Sequence, residues 1–213
     1  MKIDPLEKVR LNKRIEQANL QMMNGDTDGA RKTFQEILLQ KPGYSAALHG
    51  LGVVSVGQGN IEEAERLLRE ALTADDSNAL AWNDLGEAMR MLGRGAEAIA
   101  AYRQALMLEP KFLSALNNLA VAQAGQGNLD EAKRCLREAI ELDPMDPHPY
   151  NNLGVVLENE GQIEEALLCY EKAVMYKHDF EEARQNYADL LQRNPQRLMQ
   201  SMGRLLDDAK SLD

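Results

Sequence analysis

The chain repeats itself every 34 residues, and that period restricts its fold more than any local motif does. Read at this interval, Ala18, Gly52, Gly86, Ala120, Gly154 and Ala188 form a column of alanine and glycine. Ala30, Ala64, Ala98, Ala132 and Ala166 form a second column, and Gly25, Gly59, Gly93, Gly127 and Gly161 a third. A fourth, Phe34, Leu68, Tyr102, Leu136 and Tyr170, is large and apolar. Two antiparallel helices approach closely only where small residues meet, with a large residue filling the space beside them. A unit this short buries its apolar face only against neighbours, so the period predicts a stacked array in place of one globular core.

Local signals predict the same elements. Good helix formers dominate and aromatics make up only 5% of the chain. Each glycine of the third column follows a helical pattern. In three units it precedes Asn60, Asn128 or Gln162, with Glu63, Glu131 and Glu165 three positions further on. That order reads as a turn followed by a capping box. Pro42, Pro110 and Pro144 then stop the second helix of their units.

Trp82, Leu85-Gly86, Ala98, Tyr102, Ala105 and Pro110, and again Tyr150, Leu153-Gly154, Ala166, Tyr170 and Ala173, resemble the tetratricopeptide repeat (TPR) family. The resemblance runs from residue 11 to about 193 without insertion or deletion. It implies an all-α, right-handed α-solenoid of five helix-turn-helix units at 11–44, 45–78, 79–112, 113–146 and 147–180. Residues 1–10 would extend the first helix, and 181–213 would form a degenerate repeat and C-terminal capping helix. Asp76 and His178 stand in place of the proline, and Arg14 and Gln17 in place of large apolar residues in the first unit. There Leu11, Ile15, Ala18 and Met22 face the helix's own partner, as an N-terminal cap requires. At the other end Ala183, Tyr187, Ala188 and Leu191 are expected to dock a helix on the fifth unit. Asn194-Pro195 would open a last amphipathic helix carrying Leu198, Met202, Leu205, Leu206 and Ala209. The array reads as complete, with a cap at each end.

A helix advances about 100° per residue. With positions four, seven, eight and eleven of each unit buried, positions two, six, nine and thirteen face the other way, and five lies at the edge. The family resemblance makes this the concave surface, where extended peptides or partner helices lie. The candidate peptide-binding residues are Val53, Asn83, Asn117, Asn118, Val121, Asn151, Asn152, Val155 and Asn186. An amide offers a donor and an acceptor, so an evenly spaced row can bond the backbone of an extended chain whatever its sequence. The row is similar to the amide ladder in the TPR array of O-linked N-acetylglucosamine transferases. The alternative is that asparagine was copied by duplication and faces water, against a helix cost of several tenths of a kcal/mol relative to alanine. Gly50, inside a helix at a cost of about 1 kcal/mol, either admits a ligand to the backbone or packs closely on a neighbour.

Other functions find little support. A net charge of −10, without a basic patch, argues against nucleic acid. No apolar run nears the roughly 20 residues of a membrane span, and the N-terminus lacks a signal-peptide core, so a soluble, cytoplasmic protein is expected. Cys135 and Cys169 lie one repeat apart, too far for a disulfide between stacked units. His49, His148 and His178 fall in separate units without metal-ligand spacing. Acid pairs such as Glu62-Glu63 and Glu164-Glu165 begin helices, where they complement the helix dipole. No phosphate loop or catalytic triad pattern appears. The expectation is therefore a non-enzymatic scaffold or adaptor for a protein or peptide partner, with no cofactor and no metal. Two rivals stay open: a substrate-recognition subunit of a separate glycosyltransferase-type enzyme, and a self-assembling structural TPR protein.

Overall fold

The computed structural model describes residues 4–196, and every regular element among them is an α-helix. In chain order these are α1 (Pro5–Met23), α2 (Thr27–Gln40), α3 (Ser45–Gly57), α4 (Ile61–Ala74), α5 (Ala79–Met91), α6 (Gly95–Leu108), α7 (Leu113–Gly125), α8 (Leu129–Leu142), α9 (Pro147–Asn159), α10 (Ile163–Tyr176) and α11 (Glu181–Arg193). Five helix-turn-helix pairs thus follow one another, and α11 comes after them. The turn glycines adopt the left-handed conformation the column predicts, with φ of +78° at Gly59 and +75° at Gly161. The last amphipathic helix expected after Asn194-Pro195, with Leu198, Met202, Leu205, Leu206 and Ala209, lies outside the described residues.

The chain divides into two compact units, Met1–Ala122 and Gln123–Asp213. In the first, consecutive helices pack pairwise from α1 to α6, and α1 also touches α3, as α3 touches α5. In the second, α8 packs on α9, α9 on α10 and α10 on α11, and α9 also reaches α11. The odd-numbered helices therefore form a contiguous layer within each unit, and the binding face is expected on that layer.

The small and large columns meet as the packing argument requires. Ala30, Ala64, Ala98, Ala132 and Ala166 are fully buried, as are Phe34, Leu68, Tyr102 and Leu136. A Cβ placed on Gly86 would lie 2.6 Å from the Tyr102 ring, and one on Gly154 2.6 Å from the Tyr170 ring. Glycine is required there because the aromatic ring occupies the space of a methyl group. Gly50 belongs to the same class: a Cβ there would overlap the Phe34 ring. Of its two alternatives, the structure selects close packing across a repeat boundary.

The capping boxes do not form. Asn60, Asn128 and Gln162 occupy N-cap positions but cap no backbone N–H with their side chains. Competing partners explain two of the three units. Glu63 accepts from Arg31 (3.1 Å) and Ser55 (2.8 Å), bonds that hold its carboxyl below the usual range. Asn128 Nδ2 donates to Gln123 Oε1 at 2.8 Å. Side-chain caps appear instead at Asp26, Asn78 and Asp146, which accept from Gly29, Ala81 and His148. Proline also proves dispensable as a stop. α4 and α10, which have Asp76 and His178 in its place, are 14 residues long like α2, α6 and α8.

Polar contacts in the first unit bind α1 to α2: the replacement Arg14 pairs with Glu36 at 2.6 Å, and one turn or more further on Gln21 Oε1 accepts from Thr33 at 2.9 Å. On α11, Ala183 and Leu191 are buried as expected, but Ala188 is exposed and Tyr187 only half-buried. Ala188 is the one member of its column not covered.

Neither cysteine forms a disulfide. Burial pushes the Cys169 thiol up to about 11. In a Cys135→Ala variant, alkylation of Cys169 by iodoacetamide should stay slow through pH 9 and accelerate only above about pH 10. A half-maximal rate near pH 8.5, the ordinary thiol value, would contradict that burial.

Candidate functional site

The nine candidate residues divide into three kinds of position. Val121 and Val155 are open to solvent, at 38% and 36% exposure. Val53, Asn117, Asn118, Asn152 and Asn186 are half-buried. Asn83 and Asn151, at 8% and 1%, are buried. Sequence periodicity had set position five of each unit at the edge of the open face. In these two units it lies beneath that face, between successive odd-numbered helices.

The buried pair does structural work. Within the first unit, Asn118 Nδ2 on α7 donates to Asn83 Oδ1 on α5 at 3.1 Å. Within the second, Asn186 Nδ2 on α11 donates to Asn151 Oδ1 on α9 at 3.0 Å. Both bonds join position five of one repeat to position six of the next, 35 residues on. His49 and Asp84 occupy the same two positions, and His49 Nε2 lies 2.7 Å from Asp84 Oδ2. Asn118 with Asn83, and Asn186 with Asn151, thus tie adjacent repeats together, and these four do not merely face water.

His49, Asp84 and Glu182 were not among the candidates. Asn83 Nδ2 donates to Asp84 Oδ1 at 3.3 Å, and Asn151 Nδ2 to Glu182 Oε1 at 3.2 Å. The signal that could have found His49 and Asp84 is a polar pairing at the repeat length plus one, whereas Glu182 reaches Asn151 across 31 residues. Searching only at the repeat length compares equivalent positions and never neighbouring ones.

The cations near the face are committed to acids. Arg90 makes two bonds to Glu87, at 2.9 and 2.5 Å, and this pairing holds the Glu87 carboxyl below its usual range. Tyr102 donates to the same carboxylate at 3.2 Å, and burial raises its own phenol well above the ordinary value. Arg193 pairs with Glu158 at 2.8 Å, and Tyr170 donates to Glu158 at 2.9 Å. A ligand carboxylate would have to displace these acids to reach an arginine. Among the described residues no cluster of His, Cys, Asp or Glu could hold a metal ion. No described helix is long and apolar enough to cross a membrane.

Comparison with known proteins agrees with this architecture. The tetratricopeptide repeat is matched over residues 21–86, 55–102 and 89–157 by one family profile and over 147–180 by another. No curated protein matches the chain. Among solved structures, the chain is similar to YrrB, a TPR protein with an unusual peptide-binding site. The identity is 25%, over 81% of this chain and 89% of that one, with a TM-score of 0.66. It is similar to MamA at 24% identity, covering 84% of this chain and 97% of the other (TM-score 0.67). TTC0263, a thermophilic TPR protein in Thermus thermophilus, shares 20% identity over 85% and 98% (TM-score 0.69). The last two likenesses concern the fold alone. The repeat columns, the ring-on-glycine packing and the profile matches together establish that the chain belongs to the tetratricopeptide repeat family.

Proposed function

We propose that the protein is a non-enzymatic interaction scaffold that takes an extended peptide or a partner helix on its odd-numbered helices. Val121 with Asn118 in one unit, and Val155 with Asn152 and Asn186 in the other, would make the contact. Val53, Asn83, Asn117 and Asn151 would support it from below. The observation that carries this reading is the placement of solvent-exposed valines one helical turn from half-buried asparagines, on α7 (Asn118, Val121) and on α9 (Asn152, Val155). Such a pairing offers apolar area beside hydrogen-bonding groups, the usual composition of a peptide-recognition surface. The likeness to YrrB, which has a peptide-binding site, lends further support. Two cysteines outside any disulfide suit a reducing, cytoplasmic setting.

A photo-crosslinking amino acid placed at Val121 or Val155 tests the face in living cells. Leu39 and Leu168, exposed on the even-numbered helices α2 and α10, serve as controls. Adducts are expected from the valine positions and should weaken when Asn118 and Asn152 are replaced by alanine. Adducts confined to Leu39 or Leu168 would place binding elsewhere, and an adduct with the mass of two chains would identify a second copy as the partner.

A further inference from the structure

We infer that Asp84 and Glu182 are specificity-determining residues of this face: each pins the direction of an amide pair, so that Asn118 and Asn186 turn carbonyl oxygens outward and the face takes hydrogen bonds from N–H donors. The inference rests on the proposed binding face, but its geometric core stands on contacts within the protein. An amide can be turned end for end at almost no cost in shape, so its direction is decided by its partners. A carboxylate has acceptors only. Asn83 lies against Asp84 Oδ1 at 3.3 Å and must therefore present its Nδ2 there. Its Oδ1 is then left for the next repeat, and Asn118 can meet an acceptor only with Nδ2, at 3.1 Å. The Asn118 oxygen is directed away from the rung, and no protein donor among the described residues reaches it.

The second unit repeats this logic with a carboxylate from a different position. Glu182 Oε1 takes Asn151 Nδ2 at 3.2 Å, so Asn151 Oδ1 accepts from Asn186 Nδ2 at 3.0 Å and the Asn186 oxygen is left over. In the first unit the chain of bonds extends one helix further. The other oxygen of Asp84 lies 2.7 Å from His49 Nε2, which must carry the proton, so His49, Asp84, Asn83 and Asn118 form one directed series across α3, α5 and α7. A buried amide is held in one orientation because reversing Asn83 or Asn151 would set two acceptors against each other at the carboxylate and two donors against each other at Asn118 or Asn186. The outward oxygens then match backbone N–H groups of an extended peptide, or donor side chains such as Lys, Arg and Trp. They reject a segment whose facing groups are all acceptors.

Coupling between residues 84 and 118, relayed through Asn83, tests the inference in the full chain by chemical denaturation. Asn118→Asp sets an acceptor against the pinned Asn83 oxygen. It should lower the folding equilibrium constant about tenfold below that of Asn118→Ala, the scale of one unsatisfied polar group. Adding Asp84→Asn frees Asn83 to turn and donate, and should recover most of that loss. In an Asn83→Ala background the rescue should disappear. The inference is overturned if Asn118→Asp is no worse than Asn118→Ala, or if Asp84→Asn rescues without Asn83, since that would mean direct charge repulsion. Because no ligand enters this cycle, its failure is separate from failure of the crosslinks at Val121 and Val155, which bears on the binding face itself.

Discussion

Replacing Phe34 by alanine should cost the Met1–Ala122 unit about 3–5 kcal/mol, the range for removing a fully buried phenylalanine. The ring is 0% exposed, packs in the core with Leu11, Ala18 and Leu51, and fills the space above Gly50. The informative result is the interaction with Gly50. In the native background Gly50→Ala should destabilise by about 1–3 kcal/mol, because the new methyl overlaps a ring that close packing prevents from retreating. With Phe34→Ala the space is empty. There the same Gly50→Ala change should be stabilising by up to about 1 kcal/mol, from the better helix propensity of alanine. Urea denaturation of the four proteins measures the cycle. An equal effect of Gly50→Ala in both backgrounds would show that the ring is not what excludes the side chain.

Asn151→Asp should be nearly as damaging at neutral pH, roughly 3 kcal/mol, and should depend on pH where the alanine variant does not. The substitution exchanges the Nδ2 donor for an oxygen at a site 1% exposed and facing Glu182 Oε1. Once the Asn151 donor is gone, repulsion turns the exposed Glu182 into solvent, but the new carboxylate stays buried. Burial raises the folded-state pKa of this acid above its unfolded value of about 3.9. The unfolded state then loses its proton first as pH rises, so the penalty is absent below about pH 4 and grows up to the folded pKa. Below that window the protonated acid can also donate where the amide did. Denaturation midpoints relative to the native protein at pH 7 and pH 3.5 separate the cases. An undiminished penalty at the lower pH would point to lost packing in place of a buried charge.

How far the fold was legible depended on whether a feature is set within one repeat or between two. The glycine turns were legible at Gly59 and Gly161 because a left-handed backbone position excludes nearly every other residue. The match of Gly86 to Tyr102 was legible because both lie in one helical hairpin and recur in phase. Gly50 was ambiguous because its partner, Phe34, belongs to the preceding repeat. The capping boxes were misread for a similar reason. Glu63 has the right spacing for its own N-terminus, yet Arg31 and Ser55 from α2 and α3 offer it stronger partners.

The candidate face follows the same division. The helical period correctly placed Val121 and Val155 in solvent and Leu119 and Leu153 in the core. It set Asn118 and Asn186 on the open face and Asn83 and Asn151 at its edge, but a helical wheel of one helix does not contain the neighbour that covers an edge position. The rotation of each odd-numbered helix against the next decides which of them is covered.

From sequence alone came the 34-residue helical hairpin, its glycine turns and the small and large residues that close it, since these rest on backbone sterics and on packing within one hairpin. Only the tertiary structure decided that Gly50 makes room for a ring, that Asn83 and Asn151 are buried ties, and that carboxylates direct them. Those outcomes depend on which side chains of adjacent repeats come within hydrogen-bonding or van der Waals distance, and a period read along one chain does not contain that distance.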